Sequence, residues 1–269
     1  MKKINSISDY IKAKRKYRVK IISLQVSLLC LFFISWELLT KYELINPFFF
    51  SSPSNVISLL FSYIEKEEIF IHIYKTSFEA IISLIISLIC GIGIATFLYL
   101  TPFVSKILDP FLVLLNALPK SAIAPILIIW LGTGTKGVIG VSVSFVLILT
   151  IINVLNHFNH VDNNLVTMLK SMNASKIQIL TKIVFPSNII NIISTIKIAL
   201  GLSFVGVIVG EFLSSNNGLG YLIMYGGQVF KLDLVMMGIF ILSSIAFSLY
   251  GLIVLIEKIL KKKYSLEIK

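Results

Sequence analysis

Cysteine, histidine and negative charge are scarce in this 269-residue chain. The two cysteines, Cys30 and Cys90, stand alone in separate apolar runs with no Cys-x-x-Cys pair, which argues against a disulfide framework or a thiolate metal site and reads them as buried small apolar residues. Histidine is equally thin. His157 and His160, with Asp162, have a metal-like spacing, but no second clustered pair accompanies them, so no metal site is expected. There is no Gly-x-Ser-x-Gly and no His-Glu-x-x-His, so a hydrolase nucleophile and a zinc pair are both missing. The stretch Gly132-Thr133-Gly134-Thr135-Lys136-Gly137 looks like a phosphate loop. A Walker A motif needs Gly-Lys followed by Ser or Thr at a strand-to-helix turn, and here Gly137 and Val138 follow the lysine.

What the chain has is apolar length. Hydrophobic residues make up 57% and charged residues only 14%, more apolar surface than one soluble core of this size buries. The fold expected is all-α and polytopic, with six transmembrane helices, because six apolar segments approach the ~20 residues needed to cross a bilayer. They run over Ile21–Leu39, Phe78–Tyr99, Leu108–Leu131, Val138–Leu155, Ile189–Leu213 and Val235–Ile256. The first is too long for a signal h-region and lacks a small-x-small cleavage site, so it reads as a retained span. The organisation is therefore a basic segment over 1–20 with a possible elbow helix, a six-helix domain over 21–256 and a basic tail over 257–269.

A formal charge of +11 would suggest nucleic acid in a soluble protein. Here Lys and Arg cluster between apolar spans, where they set orientation and meet anionic lipid, so no nucleic acid is expected. Lys2, Lys3, Lys12, Lys14, Arg15, Lys16, Arg18 and Lys20 precede the first span, and Lys258, Lys261, Lys262, Lys263 and Lys269 follow or close the last. Both termini are thus expected in the cytoplasm of a multi-pass cell (inner or plasma) membrane protein, which places the 156–187 loop there too. After the first span, Ser54 or Asn55 is positioned to cap a short amphipathic helix with Val56, Leu59, Leu60 and Tyr63 on one side.

The 156–187 loop carries the most informative spacing. Thr167-Met168-Leu169-Lys170 leads to Asn173-Ala174-Ser175, and after nine residues from Asn173 come Ile183, Phe185 and Pro186. This resembles the ATPase-docking loop of ABC importer permeases: Glu-Ala-Ala, three residues, Gly, nine residues, Ile-x-Leu-Pro. Thr167, Met168 and Leu169 replace Glu-Ala-Ala, and Asn173 replaces the Gly, an exchange allowed because Asn also reaches left-handed backbone. Ser52-Pro53-Ser54, Thr76-Ser77, Asp109-Pro110, the stretch Pro119 to Pro125, Trp130 to Gly134 and, most specifically, Glu211 to Ile223 look like the nitrate, sulfonate and taurine branch. The resemblance covers roughly residues 50–225 and implies a type I importer permease fold. It also implies two ABC ATPase subunits that bind ATP and Mg, an extracytoplasmic substrate-binding protein, and a second permease copy that forms a homodimer with this one by family habit. No cofactor is implied in this chain, and ATP hydrolysis falls to the partner, so the chain is not expected to be an enzyme.

Individual residues stand out against this frame. Ala199, Ser203, Gly206 and Gly210 align on one face of the fifth span, suited either to packing within the subunit or to a subunit interface or pathway wall. Glu211, near the outer end of that span, needs water or a partner, as a gate residue or as a structurally paired one. Lys197 on the same helix reads as snorkelling. Lys120, between Pro119 and Ser121, reads either as a pathway residue, if the helix breaks there, or as a chance placement near an interface. Two rival functions are an ion-coupled secondary transporter, disfavoured by nearly uncharged mid-span regions, and an intramembrane enzyme, disfavoured by the missing motifs.

Overall fold

A computed structural model describes the backbone of residues 7–267 and the side chains of residues 14–262, and the regular structure among them is helical. Lys2, Lys3 and Lys269 of the basic ends lie outside the described residues, as do the side chains of Lys12 and Lys263. The elements are α1 (Ile7–Lys41), α2 (Pro47–Phe50), α3 (Pro53–Glu65), α4 (Glu68–Leu100), α5 (Pro102–Ala117), α6 (Lys120–Leu131), α7 (Thr135–Asn159), α8 (Asn163–Ser171) and α9 (Lys176–Ile179). A π-helical turn (Leu180–Val184) then leads into α10 (Phe185–Ser187), α11 (Ile189–Ser214), α12 (Leu219–Gln228) and α13 (Leu232–Glu267).

Among the described residues five helices, α1, α4, α7, α11 and α13, are long and apolar enough to cross a membrane, and α5 and α6 reach that length and hydropathy only together, as a broken span or a re-entrant loop. The bend divides the expected Leu108–Leu131 span at Pro119, where the sequence allows a break. α5 and α6 meet at 96° because Leu118, the residue before Pro119, is extended (φ −62°, ψ 135°), as proline demands of its predecessor. Lys120 Nζ donates to the Asn116 carbonyl at 3.2 Å, covering a carbonyl at the end of α5 with a cation, where the helix dipole favours one. Over its described residues the basic segment forms no separate elbow helix: α1 runs unbroken from Ile7 to Lys41.

α7 forms the centre, wedged between α4 and α11. Small residues set that closeness. Ala199 and Ser203 are fully buried. A Cβ on Gly206 would lie 2.5 Å from Ser142 Cα and one on Gly210 2.9 Å from Val138 Cα, so both glycines let the backbones of α11 and α7 approach. Ser203 donates to the Ala80 carbonyl of α4 at 2.6 Å, and Ser142 of α7 donates to the Ser203 carbonyl at 3.0 Å. The stripe is thus occupied within the subunit.

The periphery faces away from this core. No residue in the apolar window of α1 is buried, and its main anchors are Trp36, stacked on Phe240 of α13 at 5.9 Å, and Glu37. Cys30 and Cys90 are exposed rather than buried, since a membrane helix has no need to hide an apolar face from lipid. α3 packs Val56, Leu59, Leu60 and Tyr63 against Leu219, Leu222 and Met237. Its cap is Ser52, whose side chain accepts from Asn55 N, and not Ser54 or Asn55. With Pro53 as first helical residue, the start lies two or three residues earlier than expected. Ser54 instead donates to Glu37 at 2.8 Å, tying α3 to α1.

Candidate functional site

Between α7 and α11 the chain turns through two short helices. Asp162 starts α8 by accepting from Asn164 N, which occupies the carboxylate that had suggested a metal ligand; His160 Nδ1 in turn bonds the Asn156 carbonyl at 2.7 Å. The turn rests on Asn173, which has φ 58°, the left-handed geometry for which Asn substitutes well for Gly. Ser175 and Gln178 then form a reciprocal capping box on α9, satisfying two orphan backbone donors at once.

The return into α11 is set by Pro186. A proline inside a helix clashes with the fourth carbonyl before it, and the π-helical turn over Leu180–Val184 absorbs that strain. The loosened carbonyls are covered locally: Ser187 Oγ donates to Ile183 O at 2.7 Å and Asn188 Nδ2 to Val184 O at 2.9 Å, as expected where spans must satisfy freed backbone.

The loop has two apolar faces. Val166, Leu169, Ala174, Ile179, Leu180 and Val184 pack inward on Leu98 and Phe158, and Phe185 abuts Phe158 at 6.1 Å between ring centroids. Outward stand Met168, Met172 and Ile177, the latter two 71% and 63% exposed, with Leu165 beside them. Leu165, Met168 and Met172 follow i, i+3, i+7 and so share one side of α8. Of the residues singled out by spacing, Thr167, Met168, Lys170, Ser175, Phe185 and Pro186 are at the surface, whereas Leu169, Ala174 and Ile183 are half-buried. Leu165, Met172 and Ile177 were missed, although the helical apolar period was there to find them.

At the opposite end of the bundle, Glu211 is only 1% exposed. Of its two readings, gate residue or structurally paired residue, the geometry is that of the paired one. Its Oε1 accepts from Thr76 Oγ1 at 2.7 Å and its Oε2 from Gly220 N at 2.6 Å. Thr76 Oγ1 accepts from Leu219 N at 2.8 Å, and His72 Nδ1 from Gly218 N at 2.8 Å. Three successive N–H groups at the start of α12 are therefore capped by side chains of α4 and α11, because Gly218, its own cap residue, has none to offer. The carboxylate also sits at the positive end of the helix dipole. Gly218 has φ 120°, and a Cβ there would overlap the Glu211 carboxylate, which explains the Gly-Leu-Gly sequence.

Two further acidic residues were not foreseen. Glu79, one turn beyond Thr76, is fully buried, and neither of its oxygens has a hydrogen-bond partner among the described residues. Glu257 of α13 pairs with Lys197 at 2.8 Å and Lys261 at 2.7 Å, so Lys197 is held by an ion pair instead of snorkelling. Gly132 and Gly134, both at positive φ, join α6 to α7, and Gly134 N donates to the Ser214 carbonyl. That is a helix-to-helix turn, without the strand a phosphate loop requires.

Residues 83–262 match the family model described as binding-protein-dependent transport system inner membrane component. The chain belongs to this family. It is 28% identical over 215 residues to a probable ABC transporter permease protein of Haemophilus influenzae, covering 80% of this chain and 87% of that one. To the taurine transport system permease protein TauC of Escherichia coli it is 24% identical over 233 residues, covering 85% of each. Among solved structures, an inward-facing MetNI methionine ABC transporter gives a TM-score of 0.54 at 16% identity, over 68% of this chain and 94% of that chain, a likeness of fold. This permease is thus a multi-pass membrane subunit of an ABC importer and not an enzyme, and its family implies a separate ATPase and a substrate-binding protein as partners.

Proposed function

We propose that the α8–α10 loop is the surface on which the ATPase docks, and that the chain works as one of two identical permease subunits served by two ATPases. ATP and Mg are held by those ATPases. The observation that carries this reading is the exposed apolar side formed by Leu165, Met168, Met172 and Ile177 on a segment outside the spans; such a patch on an otherwise polar loop calls for a protein partner. Its inner face is packed on the ends of α4 and α7, so a push on α8 is passed to the spans. The loop and both termini are cytoplasmic, on the strength of the flanking Lys and Arg. The solute is a small one, nitrate, an alkylsulfonate, taurine or a related organic compound, a reading supported by the taurine permease relative.

Met172→Glu tests the docking face. It places a charge in the contact without touching the inner packing, and an unpaired buried charge costs several kcal/mol. Membrane abundance is expected to stay normal while the ATPase fails to copurify and uptake is lost. If the variant kept its ATPase and full uptake, this face would not be the docking surface.

A further inference from the structure

Behind α8, a cavity of about 200 Å³ opens between the ends of α4 and α7, the start of α5 and the loop, and Tyr99, Asn159, Lys170 and Lys176 stand in its wall. Val166 also lines it. Val166 and Lys170, four residues apart, lie on one side of α8, turned away from the Leu165–Met168–Met172 stripe, so the cavity stays open when that stripe is covered. No carboxylate lines it. Lys176 Nζ reaches only the Leu100 carbonyl, at 3.4 Å. Among the described residues no hydrogen bond or ion pair occupies the Tyr99 hydroxyl, the Asn159 amide or the Lys170 ammonium.

The two ammonium groups only donate, and the phenol and the carboxamide can each donate as well as accept. Standing in the wall of one small space with no carboxylate among its lining residues, they suit a compact anion with several oxygens, and lysine binds phosphate as a point charge. We propose that this cavity binds a phosphate group. A phosphate here would bridge Lys170 of α8 and Lys176 of α9 to Tyr99 and Asn159 at the ends of α4 and α7, fixing the loop against the bundle. Two sources present this chemistry: the headgroup of an anionic phospholipid, since the cavity lies at the ends of spans where headgroups gather, and free inorganic phosphate.

The test uses the intact permease with its ATPases in phosphatidylcholine nanodiscs. Thermal unfolding is compared with and without added phosphatidylglycerol, and in inorganic phosphate against chloride at matched ionic strength. A bound ligand raises the midpoint by mass action, here by about 2–4 °C. A rise with phosphatidylglycerol alone identifies a lipid headgroup, a rise with phosphate alone a free anion, and a rise with both a site that accepts either. In each case Lys170→Gln is expected to remove at least half of the rise and Tyr99→Phe to reduce it; neither residue has a polar partner whose loss would unfold the chain. No rise with either probe, or an undiminished rise in Lys170→Gln, would overturn the proposal.

Discussion

Asn173 shows how much one residue can reveal. Its φ of 58° is open to Gly and Asn and costly for other residues, about 1–2 kcal/mol. Asn173→Gly is expected to keep ATPase copurification, whereas Asn173→Val, β-branched and unsuited to positive φ, should reduce both copurification and uptake without lowering membrane abundance. Glu211 is the opposite case. Glu211→Gln keeps the volume but turns an N–H₂ toward either Thr76 Oγ1 or Gly220 N, both of which already donate, so it should cost about 1–3 kcal/mol, read as a lower unfolding midpoint of the purified permease. The turn at Asn173 was legible because backbone preference is local. The partners of Glu211 were not, since Thr76 is 135 residues away in sequence and nothing in an apolar span marks which hydroxyl will face it.

At the scale of elements, the α11–α7 contact depends on missing side chains. Gly206→Ala drives a methyl into Ser142 Cα, a backbone atom that cannot rotate aside, and overpacking of this kind costs about 1–3 kcal/mol. Gly93→Ala on α4 meets nothing within 4 Å and is expected to be neutral. Comparing the two in a detergent thermal-shift assay checks the difference; equal midpoints would mean that α11 and α7 are not held at this distance. The small-residue period announced a close helix contact, but not its partner, because a stripe of Ala, Ser and Gly accepts any helix and only assembly decides among α7, α4 and a second subunit. The break between α5 and α6 was half legible: Pro119 marked it, while the angle follows from how the two halves pack.

For the whole molecule, the expected topology puts the α11–α12 turn and the α8–α10 loop on opposite sides of the membrane. Single cysteines at Asn216 and Lys182, both exposed, in a background with the exposed Cys30 and Cys90 replaced, should label with an impermeant thiol reagent from outside and only after permeabilisation, respectively. Labelling of both from outside would remove the cytoplasmic assignment of the loop and with it the docking reading. The network at the start of α12 and the loop at the other end are joined by α4, α7 and α11, so a displacement of α8 has a continuous packed route to the far side.

Apolar run length and basic flanks were enough to determine six apolar helical segments and an expected side for the loop, and the Asn173-to-Pro186 spacing carried the resemblance to an importer permease, because bilayer thickness, charge retention and turn geometry each act on short stretches of chain. Only the tertiary structure decided which charges are buried in pairs, as Lys197 with Glu257, which hydroxyls cap α12, and which side of α8 faces out. Those outcomes depend on residues far apart in sequence meeting within a few ångströms, and in a membrane, where apolar residues face lipid as readily as the core, hydropathy alone does not say which way a side chain turns.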